Sequence, residues 1–239
     1  MSQGTLFGLG VGPGDPELLT LKAVRVLGRV QRIYAASSTK NTYSVSLDIA
    51  APHLRDGATA EVLAFPMTRD KNSLRAAWRA NAARVCADLR SGLDVACLTL
   101  GDPMTYSTFG YLMRTVLDME PTARIEVVPG VTSYNAAAAA AGKVLAESCE
   151  NLAVVSGVDG GEGLRRAAQW ADSVVVLKAY KRFGHIRAVL EELGLAERAL
   201  LVSNCGRPGQ EVVQDLSQVT DTPPYFSLLL VRVRGNGLA

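Results

Sequence analysis

The chain has 239 residues, of which 48% are hydrophobic and 20% charged, and its formal net charge is +2 at pH 7. This composition excludes a disordered chain, and the charge is too small to predict a nucleic-acid partner. The sequence has no apolar run of about 18 residues and no charged-then-apolar amino terminus. We therefore expect no membrane span, no signal peptide and a cytoplasmic location.

Predicted strands alternate with predicted helices through the first half of the chain. The pattern predicts strands at 5–11, 32–36, 61–65, 95–100 and 124–128, and helices at 21–27, 73–89 and 109–119. Thr20 or Asp15 is the expected cap of the first helix, and Ser73 that of the second. Such alternation predicts a parallel sheet with right-handed crossovers.

The first predicted strand leads into a glycine-rich loop. Gly8, Gly10 and Gly12 follow the dinucleotide-binding pattern, but Pro13 stands where its third glycine is expected. No acidic residue ends the next predicted strand, at 32–36, where a ribose-binding carboxylate is expected. The sequence therefore argues against a nicotinamide-dependent oxidoreductase. The loop is interpreted instead as a cleft wall or as a simple strand-to-helix connection.

The fourth predicted strand ends abruptly in Gly101-Asp102-Pro103, at the edge of the sheet where open α/β folds bind ligands. Gly101 permits a close backbone approach or a positive φ, and Pro103 keeps Asp102 out of the helical region. Two interpretations of Asp102 are open. It is either a turn or cap residue, as Asp commonly is, or a carboxylate that contacts a ligand.

Pro129-Gly130 interrupts the pattern, and we place a boundary there between domains of residues 1–128 and 129–239. The next helix contains an alanine run at 136–141, which reflects either helix propensity or close packing against a ligand or domain. The second half predicts strands at 152–156, 173–178, 199–203, 211–213 and 225–233, with helices at 163–171 and 185–193. The spacing of the last strands predicts a mixed sheet with antiparallel strands at its end.

The cysteines and histidines do not form a recognisable metal or redox motif. The four cysteines lack C-x-x-C spacing, and Cys86 and Cys97 lie in apolar periodic segments. The two histidines, His53 and His185, stand apart from any metal-binding array. We therefore expect free thiols packed in the core and no metal site.

Four loops together point to one family. They are Gly12-Pro13-Gly14-Asp15, Gly101-Asp102-Pro103, Pro129-Gly130-Val131-Thr132-Ser133 and Leu177-Lys178-Ala179-Tyr180. In this order they resemble the tetrapyrrole (corrin-pathway) methyltransferases that use S-adenosylmethionine. The segments at 65–67, before the Trp78 helix, at 101–108 and at 225–228 resemble the branch that methylates carbon 20 of precorrin-2 or its cobalt-loaded counterpart.

This resemblance implies two α/β domains, an N-terminal parallel sheet and a C-terminal mixed sheet, with S-adenosylmethionine bound in the cleft between them. It also implies a homodimer. The residues it assigns to the cofactor are Pro13, Leu100, Gly101, Asp102, Thr105, Thr132, Ser133, Lys178, Ala179 and Gly206. The second half departs from the commonest pattern, because Lys178 stands where relatives often have Met and residues 205–209 replace a Gly-Thr stretch.

The implied chemistry needs few protein groups. A sulfonium methyl group is already electrophilic, so catalysis consists mainly of aligning it with a nucleophilic ring carbon. A base must then remove a proton from the substrate, and the candidates are Asp102 and, if burial lowers its pKa, Lys178, with Tyr106 orienting either one. Asp102 has the alternative role of holding the ammonium group of the cofactor.

The implied substrate is a small polyanionic tetrapyrrole, which requires cationic side chains. Arg69, Lys71 and Arg75 follow the third predicted strand, and Lys181 and Arg182 follow the Lys178 loop. For any one of these residues, an ordinary solvated charge is the competing interpretation. Two alternative functions are also open: methylation of another ring carbon, and a non-catalytic metabolite-binding regulator with the same fold.

Overall fold

A computed structural model describes residues 3–38, 44–66, 68 and 70–235. The chain divides into two compact units, Met1–Thr132 and Ser133–Ala239. The boundary expected at residues 128 and 129 stays a prediction. None of the helices in the described ranges has the length and apolar character that a bilayer crossing requires.

The first unit is built on a five-stranded parallel sheet with the strand order β3-β2-β4-β1-β5. Its strands are β1 (Thr5–Gly10), β2 (Arg32–Ser38), β3 (Thr59–Phe65), β4 (Val95–Thr99) and β5 (Arg124–Val128). Its helices are α1 (Leu21–Leu27), α2 (Val45–Ala50), α3 (Lys71–Arg90) and α4 (Phe109–Met119). The predicted parallel sheet is therefore confirmed.

The central strands of this sheet are buried on both faces. In β1, residues 6–10 are all buried, and in β4 residues 95–98 are buried. This burial explains why both strands are nearly continuous apolar runs instead of alternating ones. Cys86 and Cys97 are free thiols in the core, as predicted, and burial raises the pKa of each thiol.

Side-chain caps define where the helices of the first unit begin. The hydroxyl of Thr20 accepts a hydrogen bond from Ala23 N at 3.2 Å and caps α1, whereas Asp15 caps the preceding short 3₁₀ turn. The prediction that Ser73 starts the long helix is wrong. Asp70 caps α3 by accepting from Ser73 N at 3.0 Å and from Asn72 N at 3.2 Å.

The second unit contains a five-stranded mixed sheet with the order β6-β7-β10-β8-β9. Its strands are β6 (Leu152–Ser156), β7 (Ser173–Leu177), β8 (Ala199–Ser203), β9 (Glu211–Val213) and β10 (Ser227–Arg232). Its helices are α5 (Ser133–Ala141), α6 (Glu162–Ala167) and α7 (Phe183–Glu192). The last strand, β10, runs antiparallel between β7 and β8, which confirms the predicted mixed sheet.

A nearly buried ion pair ties the end of β10 to the segment before β6. The Arg232 side chain is only 7% exposed, and its Nη1 donates to Glu150 Oε2 at 2.7 Å and to Ser173 Oγ at 3.1 Å. These hydrogen bonds lower the pKa of the Glu150 carboxyl below its ordinary value. The folded state therefore favours ionised Glu150, and this contribution to stability is present above pH 4.5 and is lost as the pH falls below it.

We expect Glu150→Gln to lower the thermal unfolding temperature at pH 7, because the buried Arg232 guanidinium then lacks a charged partner. The difference from wild type should shrink as the pH falls below 4.5, since the wild-type carboxylate is then being protonated. Glu192→Gln is the matched control, because Glu192 pairs with Arg165 at the surface and is 58% exposed. Equal effects of the two variants at every pH would contradict this prediction.

Candidate active site

Three loops of the first unit meet at glycines. Gly12 and Gly101 form an antiparallel bridge in which Gly101 N donates to Gly12 O at 2.7 Å and Gly12 N donates to Gly101 O at 3.3 Å. A Cβ on Gly130 would lie 2.2 Å from Gly101 O, and one on Gly10 would lie 2.6 Å from Gly130 N. Only glycine permits these approaches, so the ends of β1, β4 and β5 form a junction of bare backbone.

The Asp102 carboxylate connects two of these loops. Its Oδ1 accepts from Met104 N at 2.8 Å and from the Thr105 hydroxyl at 3.4 Å, which is a turn within its own loop. Its Oδ2 accepts from Gly130 N at 3.1 Å, across to the loop that follows β5. Asp102 is thus a turn residue and, through its second oxygen, also a link between loops.

The remaining predicted residues of the first unit surround this junction. Pro13 directly follows Gly12 and is buried, and Leu100 directly precedes Gly101. Thr105 lies in the Asp102 turn, and Thr132 lies two residues beyond Gly130. Tyr106 has a φ of 51°, an uncommon value for a non-glycine residue, and its side chain is 53% exposed.

Three of the predicted residues of the second unit follow β7 or β8, the strands on either side of β10, and the fourth begins α5. Lys178 follows β7, is exposed and has a φ of 60°, and the buried Ala179 donates its N–H to Ser227 O at 3.0 Å. Gly206 follows β8 with a φ of 71° and donates its N–H to Gln210 Oε1 at 2.7 Å. Ser133 is the first residue of α5, a helix that contacts β10.

Sequence reasoning gave no role to the aromatic side chains at this edge of the second unit. The rings of Tyr180 and Tyr225 lie 5.0 Å apart, and those of Tyr225 and Phe226 lie 4.9 Å apart in an edge-to-face contact. Burial raises the pKa of the Tyr225 phenol, although the residue is 56% exposed overall. The segment at 225–228 indicates a family branch by its resemblance but gives no role to its aromatic rings.

The predicted substrate-binding cations fall into two groups. Arg69 lies outside the described residues, while Lys71 and Arg75 are exposed in the first turns of α3. Lys181 and Arg182 are exposed between β7 and α7 in the second unit. Within the described part of the chain, no three His, Cys, Asp or Glu side chains are grouped so that they could hold a metal ion.

The sequence profile of the tetrapyrrole (corrin/porphyrin) methylases matches residues 5–220 of the chain. The chain therefore belongs to the tetrapyrrole methylase family, as its four ordered loops predicted.

Named relatives indicate which members of the family the chain is similar to. The cobalt-precorrin-2 C(20)-methyltransferase of Salmonella typhimurium is 37% identical over 95% of this chain and 96% of that protein. The precorrin-2 C(20)-methyltransferase of Sinorhizobium sp is 30% identical over 95% of both chains. The solved structure of uroporphyrin-III C-methyltransferase from Thermus thermophilus, complexed with S-adenosylhomocysteine, has a TM-score of 0.67 and 27% identity, and the match covers 96% of this chain and 98% of that one. The predicted fold of two α/β domains is confirmed by such structural neighbours.

Proposed function

We propose that this protein transfers the methyl group of S-adenosylmethionine to carbon 20 of precorrin-2 or its cobalt-loaded form, in cobalamin biosynthesis. The observation that supports this most strongly is the 37% identity, over nearly the whole chain, to the cobalt-precorrin-2 C(20)-methyltransferase. The Sinorhizobium relative, which is named for precorrin-2 without cobalt, is only 30% identical to this chain. Because the relative named for the cobalt-loaded substrate is 37% identical, we propose the cobalt-loaded form as the preferred substrate. A homodimer and a cytoplasmic location stay predictions from the sequence.

The residues of the first unit fit the proposed cofactor. At the glycine junction an added Cβ would collide with neighbouring backbone, so the loops that carry Pro13, Asp102 and Thr132 are packed closely together at one end of the sheet. The residues proposed to hold the cofactor are Pro13, Leu100, Gly101, Asp102, Thr105, Thr132, Ser133, Lys178, Ala179 and Gly206. When bound, S-adenosylmethionine supplies an electrophilic methyl group on its sulfonium sulfur.

The protein residues must then align the cofactor methyl group with the substrate carbon and remove a proton from the substrate. Since one Asp102 oxygen accepts hydrogen bonds within its own loop and the other accepts one from the loop after β5, its proposed role is to fix the shape of the binding loops. Lys178 is exposed at the end of β7, so we propose it as the base only where bound ligands bury its amine, with Tyr106 as its orienting group. Precise alignment of donor and acceptor is worth large rate factors, so rigid loops are consistent with this chemistry.

This function is tested by anaerobic incubation of the protein with isotope-labelled S-adenosylmethionine and, separately, precorrin-2 and cobalt-precorrin-2. We expect mass spectrometry to show one labelled methyl group per product, with faster transfer to the cobalt-loaded substrate. Binding of S-adenosylhomocysteine without transfer to either substrate would contradict the proposal and favour the non-catalytic regulator.

A further inference from the structure

Most arginine side chains of the second unit already make ion pairs or hydrogen bonds within that unit. Arg165, Arg166, Arg187 and Arg232 pair with carboxylates, and Arg198 and Arg234 donate to backbone carbonyls. These contacts explain the six arginines, because each contact stabilises the fold of the unit itself.

Four cations of the same unit differ from these. They are Lys178, Lys181, Arg182 and Arg207. Among the described residues, no carboxylate lies within 4.0 Å of their nitrogen atoms, and no backbone carbonyl accepts a hydrogen bond from their side chains, unlike those of Arg198 and Arg234. Three of them follow β7 and the fourth follows β8, so all four belong to the same edge of the sheet, on either side of β10. Cationic side chains without a hydrogen-bonded or ionic partner therefore share an edge where an anionic ligand would meet several of them.

Arg207 is the member of this group whose position is best fixed. Its guanidinium carbon lies 4.4 Å from the centre of the Phe226 ring, a cation–π contact. Its backbone N–H donates to Asn204 O at 2.9 Å, and both Asn204 and Gly206 have positive φ, which defines a tight turn. The backbone of Phe226 is held in turn, because its carbonyl accepts from Asn204 N at 2.8 Å.

A chain of buried hydroxyl groups fixes the segment that bears Phe226. Ser227 Oγ donates to Pro224 O at 2.7 Å and lies 2.8 Å from Ser203 Oγ. Since Ser227 has only one hydroxyl proton, Ser203 must donate to Ser227. The segment between Pro224 and Ser227 is therefore tied to β8, so the ring beneath the Arg207 guanidinium is held in place.

The charge of a ligand decides whether free cationic side chains at this edge favour its binding. S-adenosylmethionine carries a sulfonium and an ammonium group against one carboxylate, so these side chains give it no net attraction, and the cofactor contacts proposed above for Lys178, Ala179 and Gly206 would be made through the backbone. A tetrapyrrole with many peripheral carboxylates has the opposite charge, and a guanidinium offers two parallel N–H groups to a carboxylate. A guanidinium already stacked on an aromatic ring loses little side-chain freedom on binding.

We propose that Arg207, supported by Phe226, binds a peripheral carboxylate of the tetrapyrrole and contributes to substrate specificity. This inference rests on the proposed function, because it takes a polycarboxylate tetrapyrrole as the substrate. Arg207 is a binding residue in this account and takes no part in proton transfer.

The test compares wild type with Arg207→Gln, Arg207→Lys and Arg187→Gln. Arg187 pairs with Glu191 within α7, so its replacement removes the same charge from a site already neutralised inside the unit. Two quantities are measured for each: the affinity for uroporphyrin III, a stable polycarboxylate porphyrin, by fluorescence quenching, and the affinity for S-adenosylhomocysteine by calorimetry. Far-ultraviolet circular dichroism confirms that each variant is folded.

We expect Arg207→Gln to weaken uroporphyrin binding by about tenfold, the effect of losing one charge-assisted hydrogen-bonded contact. Arg207→Lys should lose less, and Arg187→Gln should match wild type. Affinity for S-adenosylhomocysteine should be unchanged in all three. With cobalt-precorrin-2 as substrate, Arg207→Gln should raise KM with little change in kcat.

Three results would overturn the inference: no uroporphyrin binding by wild type, equal binding by Arg207→Gln, or a parallel loss of S-adenosylhomocysteine affinity in that variant. The last result would assign Arg207 to the cofactor. The proposed function fails separately, if wild type does not methylate either precorrin-2 substrate, and the porphyrin measurement still decides the role of Arg207.

Discussion

Gly130→Ala is expected to destabilise the first unit and to abolish cofactor binding. The new Cβ would lie 2.2 Å from Gly101 O and 2.9 Å from Gly10 Cα, and both contacts are with backbone that cannot rotate away. Forcing an extra methyl group into a packed site costs roughly 3 kcal/mol, which corresponds to a fall of roughly 10 °C in the unfolding temperature. Differential scanning calorimetry and titration with S-adenosylhomocysteine measure the two effects.

Gly110→Ala is the matched control for this prediction. Gly110 lies in α4 of the same unit, and the nearest atom to an added Cβ is Arg114 Nη1 at 3.8 Å, an ordinary contact. Because alanine favours the helix by up to about 1 kcal/mol, we expect this variant to be as stable as wild type or slightly more stable. A Gly130→Ala protein with wild-type stability and cofactor affinity would show that the three loops do not require close backbone contact.

Asp102→Asn is expected to weaken S-adenosylhomocysteine binding by about a hundredfold, equivalent to about 3 kcal/mol. The carboxylate accepts hydrogen bonds from Met104 N, Thr105 Oγ1 and Gly130 N. An amide replaces one acceptor by a donor and removes the charge, so at least one loop N–H loses its partner. Isothermal titration calorimetry measures the affinity directly.

Asp215→Asn provides the comparison for Asp102→Asn. The Asp215 carboxylate caps a short 3₁₀ turn by accepting from Ser217 N at 2.9 Å, and hydrogen bonds from the Ser217 side chain and backbone lower its pKa. Asp215→Asn removes a similar capping carboxylate at a site with no proposed cofactor contact, so the affinity for S-adenosylhomocysteine should be preserved. If Asp102→Asn binds as tightly as wild type, the carboxylate does not shape the cofactor site.

Local sequence patterns predicted the sheets well because buried parallel strands leave a direct signal. β1 and β4 are almost entirely apolar, and a glycine, Gly12 or Gly101, stands two residues after the end of each. The sequence pattern placed the start of α3 wrongly, because Asp70 and Ser73 stand close together and both are good helix-capping residues. It also missed α2, because six residues are too few to show a helical period.

The roles of the candidate site residues stay predictions. Gly101 indicated a close backbone approach, and the structure brings the Gly12, Gly101 and Gly130 loops together. The aromatic cluster around Tyr225 was not predictable, because it depends on β10 inserting between β7 and β8. Strand order of this kind is a long-range property that no local pattern encodes, and the positive φ of Lys178 has no local sequence signal either.

The position of the transferred methyl group tests the central claim most directly. Wild-type protein is incubated anaerobically with cobalt-precorrin-2 and S-adenosylmethionine labelled with carbon-13 in its methyl group, and the product is examined by NMR. We predict a single enriched methyl resonance, coupled to the ring at carbon 20. Enrichment at any other ring carbon, or no enrichment at all, would contradict the assignment.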